Sequence, residues 1–84
     1  RATTLNDDEM ASLRRLIGGS GTDAASRLGL QPDAPHDGPR AAFAAAQRWR
    51  RRAEHPLNDP FTRRACRAAV RSAEALVAEY AARA

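Results

Sequence analysis

Twenty of the 84 residues are alanine, and all fourteen basic residues are arginine. Both residue types keep most of their freedom in a helix, so they favour it intrinsically. Against them stand only two Val, one Ile, two Phe, one Tyr and one Trp as strand formers. The expected fold class is therefore all-α: one helical module over residues 1–84, with three main helices and one short one. A chain this short buries only roughly 60–65% of its unfolded surface, so modest stability is expected. The use of arginine without lysine is equally well accounted for by a GC-rich coding sequence.

Each helix is marked by its ends. Asn6 with Glu9 three residues on forms a capping-box pattern, and Leu5 and Met10 stand at the spacing of a hydrophobic staple. Asp7, Asp8 and Glu9 suit the positive end of the helix dipole. Met10, Leu13, Leu16 and Ile17 then recur at helical spacing, and Gly18-Gly19 closes a first helix over about 6–17. A short helix is expected over about 22–28, with Gly29 just past its end and Leu28 and Leu30 turned inward. Three prolines between Gln31 and Pro39 make 31–39 a connector.

A third helix runs from about 39 to 54. Its buried face is read as Ala42, Phe43, Ala46, Trp49 and Ala53, with Arg40, Arg48, Arg51 and Arg52 opposite. His55-Pro56 stops it. Asp59 and Pro60 then cap and start a fourth helix over about 60–82. Thr62, Cys66, Ala69, Val70, Ala73, Leu76, Val77 and Tyr80 line one side of it, and Arg63, Arg64, Arg67 and Arg71 the other. A short turn between the last two helices makes them antiparallel. Phe43, Trp49, Cys66, Val70, Leu76, Val77 and Tyr80 are the expected core.

The residues offer little for catalysis. Gly18-Gly19-Ser20-Gly21-Thr22 lacks the G-x-x-x-x-G-K-[ST] spacing and follows a helix, so it reads as a turn. His36 and His55 lie in separate connectors without ligands at metal spacing. The lone Cys66 excludes an internal disulfide and sits among apolar positions as a small hydrophobe. No Ser–His–acid set or close carboxylate pair can be assembled. No catalytic, cofactor or metal residue is assigned, and no cofactor is expected.

Charge is unevenly spread. Residues 1–37 hold four Arg against six acids, a net of −2; residues 38–84 hold ten Arg against four acids, a net of +6. Arg48, Arg51, Arg52, Arg63, Arg64, Arg67 and Arg71 are the candidate contact surface for an anion: phosphate, lipid headgroups or an acidic partner. Arg63–Arg67 and Arg67–Arg71 are like-charged i,i+4 pairs, whose repulsion a bound anion would relieve. Specific DNA reading is not expected, because Gln47 beside Arg48 is the one Asn or Gln on the two arginine-rich helices, too few to address several bases. No apolar run reaches the ~18 residues of a membrane span, and no signal peptide is visible. The chain opens at Arg1 rather than Met and is expected to be a piece of a longer or processed product.

Several motifs fall in a familiar order. Gly18-Gly19-Ser20-Gly21, Arg27-Leu28-Gly29-Leu30, Trp49-Arg50, His55-Pro56-Leu57-Asn58-Asp59, Ala65-Cys66-Arg67 and Arg71-Ser72-Ala73-Glu74 resemble the C-terminal helical segment of actinobacterial dynamin-like GTPases, the isoniazid-inducible proteins of mycobacteria in particular. The likeness covers about Gly18 to Leu76. It implies a parent that hydrolyses GTP and acts at membranes, in which helical segments outside the GTPase domain transmit nucleotide state. No nucleotide-binding residue carries over. The role it implies here is a non-catalytic packing module, partnered by the rest of a GTPase or another protein, with anionic membrane as a further candidate. The implied location is cytoplasmic, peripheral to the inner membrane where lipid is met.

A second likeness is to the J-domain layout, through Leu28-Gly29-Leu30, a helix, His55-Pro56 and a further helix. J-domains carry an aspartate after His-Pro that is central to chaperone activation. Leu57 stands there instead, which removes the residue such activity would rest on. A stand-alone adaptor that binds an acidic protein or nucleic acid through the Arg-rich face is the remaining alternative.

Overall fold

Alanine lets helices approach closely, and the molecule is built on that. The computed structural model describes residues 4–31 and 37–83. Among the described residues four α-helices follow one another: α1 (Asp7–Leu16), α2 (Ala24–Arg27), α3 (Gly38–Ala53) and α4 (Pro60–Arg83). No strand occurs among the described residues. The 31–39 connector lies largely outside them, at residues 32–36, and so does His36.

The caps are formed as the residue types dictate. Asn6 accepts from the Glu9 backbone N–H at 2.8 Å, and Glu9 accepts from the Asn6 backbone N–H at 2.9 Å. Asp23 accepts from the Ser26 N–H at 3.0 Å. Hydrogen bonds from the Ser26 side chain and backbone hold the Asp23 carboxyl below the ordinary carboxylate range. Asp37 starts α3, accepting from Arg40 N–H at 3.1 Å, and Asp59 starts α4, accepting from Thr62 N–H at 2.7 Å. Gly29 takes a φ of 72°, the left-handed conformation that closes a helix and favours glycine.

The two long helices pack as an antiparallel hairpin. Ala42, Ala45, Ala46 and Trp49 of α3 meet Cys66, Ala69, Ala73 and Leu76 of α4, all buried. At the far end buried Gly38 lies so close to Tyr80 that a Cβ there would overlap the ring. The first helix and Leu5 cover one flank, with Leu16 and Ala24 completing the core.

Phe43 departs from the expected core. It is 52% exposed, and Ala45 takes the buried place instead. At about 100° per residue the core stripe of α3 is centred between Ala42, Ala45, Ala46 and Trp49, which turns Phe43 onto a flank. Val70, Val77 and Tyr80 are half-buried at the edges of the core.

Candidate functional site

The hairpin tip is held by one buried polar residue. Asn58, 4% exposed, donates from Nδ2 to the carbonyls of Arg52 at 2.8 Å and Ala53 at 3.3 Å, closing the end of α3. Its Oδ1 accepts from Arg52 Nη1 and from the Thr4 hydroxyl, and its carbonyl accepts from Arg63 Nη1 at 2.6 Å. His55 Nδ1 accepts from the Leu57 N–H at 3.1 Å, which fixes the turn and leaves Leu57 projecting, 77% exposed.

Arg52 ties that tip to the first helix. Its Nε donates to Glu9 at 2.8 Å and its Nη2 to the Thr4 carbonyl at 2.8 Å. The paired side chains are only 18% and 29% exposed. Arg52 is therefore committed within the fold, and its guanidinium is not offered to an outside anion. Its expected place on an open face is corrected: α1 packs over that flank and supplies the carboxylate.

The seven arginines fall on several sides of the hairpin. Arg48 and Arg52 border a cleft beneath α1, with Asp8, Glu9, Ser12 and Trp49. Arg67 and Arg71 border a shallow groove with Arg50, Ala53, Glu54 and Val70. At about 100° per residue Arg48 and Arg50 differ by about 200°, so the cleft and the groove lie on opposite flanks of α3. Arg63 is held at the tip by Asn58. Arg51 and Arg64 are exposed. Sequence reasoning passed over Arg50, which pairs with Glu74 across the two helices. The signal for that pair was the match of an Arg and a Glu on facing helices, which needs the hairpin register to be known.

Among the described residues no group of three or more His, Cys, Asp or Glu could hold a metal ion. No buried side-chain N or O there is without a hydrogen-bond partner. No described helix is long and apolar enough to cross a membrane.

Cys66 is fully buried, and burial pushes its thiol above the ordinary value of 9.0, with nearby Arg52 opposing the shift and Glu9 adding to it. The raised value favours the neutral thiol in the folded chain. Its contribution to stability is complete below pH 9.0 and is lost as pH rises through the folded value. Iodoacetamide at pH 8 should alkylate Cys66 at the rate of opening of the fold, and urea should raise that rate in step with unfolding. Labelling as fast as that of a free thiol in native conditions would contradict the burial.

No protein-family model matches the chain, and no solved structure does. Two curated relatives do: the isoniazid-induced protein IniC from two strains of Mycobacterium tuberculosis, each 78% identical over 83 residues. The match takes in 99% of this chain but only 17% of the relatives' length. The resemblance to the isoniazid-inducible mycobacterial proteins thus runs the length of the chain, beyond the motifs, and the chain matches one stretch of these longer proteins.

Proposed function

We propose that the chain is a non-catalytic helical packing module of a dynamin-like GTPase that acts at membranes. The observation that carries this reading is the match to a small fraction of a much longer isoniazid-induced protein. The hairpin supports it physically. An α4 of 24 residues spans about 36 Å at 1.5 Å per residue, a rigid element suited to carrying movement between distant parts of a protein. One flank of that hairpin is closed by α1 and the other is open, as suits a module that packs against more protein.

The test is made on the full-length relative. Purified protein should release phosphate from GTP, and faster with vesicles containing acidic lipid than without. Its sedimentation with those vesicles should fall steeply as salt is added. Failure to bind GTP would end the GTPase reading. Equal retention on neutral and acidic vesicles would end the electrostatic membrane reading.

A second reading rests on Arg64, Arg67 and Arg71, exposed on α4 with no ion pair among the described residues. A stand-alone adaptor would use them on an acidic protein or, without sequence preference, on nucleic acid. Salt-sensitive mobility shifts with arbitrary RNA would favour it, and no shift at low salt would remove the nucleic-acid version.

A further inference from the structure

We infer that the open flank of the α3–α4 hairpin is a docking groove for an acidic amphipathic α-helix. The inference deepens the packing-module reading and rests on it, naming the surface and the chemistry of its occupant.

The floor of the groove is apolar. Ala53 of α3 and Val70 of α4 line it, half-buried against the core, and half-buried Val77 lies seven residues on from Val70, on the same side of α4. Phe43 belongs to the same flank. It lies seven residues before Arg50 and eleven before Glu54, both spacings that return to one side of a helix. From Phe43 to Glu54 the flank runs about 16 Å, or three helical turns. A phenylalanine 52% exposed on the open flank of a helix whose opposite flank is covered is a surface short of one helix.

The rim decides what kind of helix. Glu74 is engaged by Arg50, whereas Arg67 and Arg71 have no ion pair among the described residues. They are one turn apart on α4, like-charged, and border the groove directly. Carboxylates one turn apart on an incoming helix would meet both and relieve their repulsion. Such a helix already packs on this hairpin's other flank. There α1 lays its apolar stripe down and sends Glu9 to Arg52. The groove offers Arg67 and Arg71 for the same chemistry; its own carboxylate, Glu54, stands on the α3 rim, where Arg50 and Ala53 also lie. A shallow groove bordered by side chains of two helices also suits a helix, whose ridges of side chains settle between them. Ile17, Phe43 and Leu57, the exposed large apolar side chains among the described residues, belong to the end of α1, to α3 and to the hairpin tip rather than to one helix face.

The probe is a fluorescent fourteen-residue peptide with leucines at i, i+3, i+4 and i+7 and glutamates beside them. Control peptides carry the same leucines with lysines, or the glutamates with the leucines scrambled. Saturable binding of the glutamate peptide to the 84-residue chain is expected, with amide shifts confined to Phe43, Ala53, Val70, Arg71 and their neighbours. Arg67→Glu/Arg71→Glu should weaken it by at least about tenfold and gain affinity for the lysine peptide. Phe43→Asp should weaken both. These side chains are exposed, so the helical circular dichroism should stay unchanged. Equal binding of the glutamate and lysine peptides, or shifts centred elsewhere, would overturn the inference. So would concentration-dependent self-association abolished by Phe43→Asp, which would make a second copy the occupant. Vesicle or RNA binding lost in the same variants, without peptide binding, would overturn it as well. If the full-length relative turns over GTP while the peptide fails, only the docking inference falls. If the peptide binds and no GTP is bound, the GTPase reading falls and the groove stands.

Discussion

Trp49→Ala should leave the chain close to unfolding at ambient temperature, with a loss of about 3–5 kcal/mol. Trp49 is 4% exposed and is the one bulky side chain that α3 sends into the core. The core of the hairpin that it belongs to is built largely of Ala42, Ala45, Ala46, Cys66, Ala69 and Ala73, all small. None has the reach to refill the space, so the cavity would remain rather than collapse. Small domains have only about 5 kcal/mol or a little more in hand, and a loss of this size consumes most of it. Thermal unfolding followed by circular dichroism should show a fall in Tm of more than about 12 °C. Trp49→Phe keeps most of the volume and should fall between the variant and the parent. Phe43→Ala, on the exposed flank, should cost no more than about 1 kcal/mol. If Phe43→Ala cost more than Trp49→Ala, α3 would have to be rotated from the orientation described, and the groove on its flank would go with it.

That comparison marks where the sequence was legible and where it was not. Local signals were readable because each depends on neighbours in the chain. Asn6 with Glu9, Asp59 before Pro60, and Gly29 after a leucine are instances in which one residue type meets one backbone need. The stripe on α4 was readable because Cys66, Ala69, Ala73 and Leu76 recur with little competition. On α3 the buried residues are mostly alanine, which carries a weak apolar signal, so the eye goes to Phe43. Shape complementarity prefers the small residue at the interface and leaves the large one at its edge. Buried Asn58 carried no signal, since polar residues are mostly exposed, whereas Thr62 was placed on the packed side of α4 by its helical spacing. Gly38 admits the Tyr80 ring, a need that exists only once α3 and α4 are paired. The arginines were legible as charge and not as places. Which side each faces depends on the hairpin register and on a first helix that covers one flank and not the other.

Arg52→Met should cost about 2–4 kcal/mol, far above what an exposed arginine is worth. The side chain is 18% exposed, and one guanidinium serves Glu9, Asn58 and the Thr4 carbonyl together. Removing it strands the Glu9 carboxylate beside an apolar methionine. It also frees the segment before α1, because Leu5 is buried by the same closure. Arg52→Lys should recover less than half of the loss, since one ammonium cannot span three acceptors that a planar fork reaches at once. Salt separates this pair from the open ones. Arg50–Glu74 is about half exposed and should be screened, whereas the Arg52 contribution should persist at high salt. Urea unfolding of the variants gives the free energies. A double-variant cycle with Glu9→Gln isolates the pair, with a coupling of about 1–3 kcal/mol expected. Hydrogen exchange adds the structural readout: amides of α1 should lose protection in Arg52→Met before those of α3 and α4. A change below about 0.5 kcal/mol with α1 still protected would mean that Leu5, Leu16 and Ala24 hold the first helix without the arginine. The covered flank would then owe its closure to apolar contact alone, and a carboxylate on an incoming helix would be dispensable at the open one too.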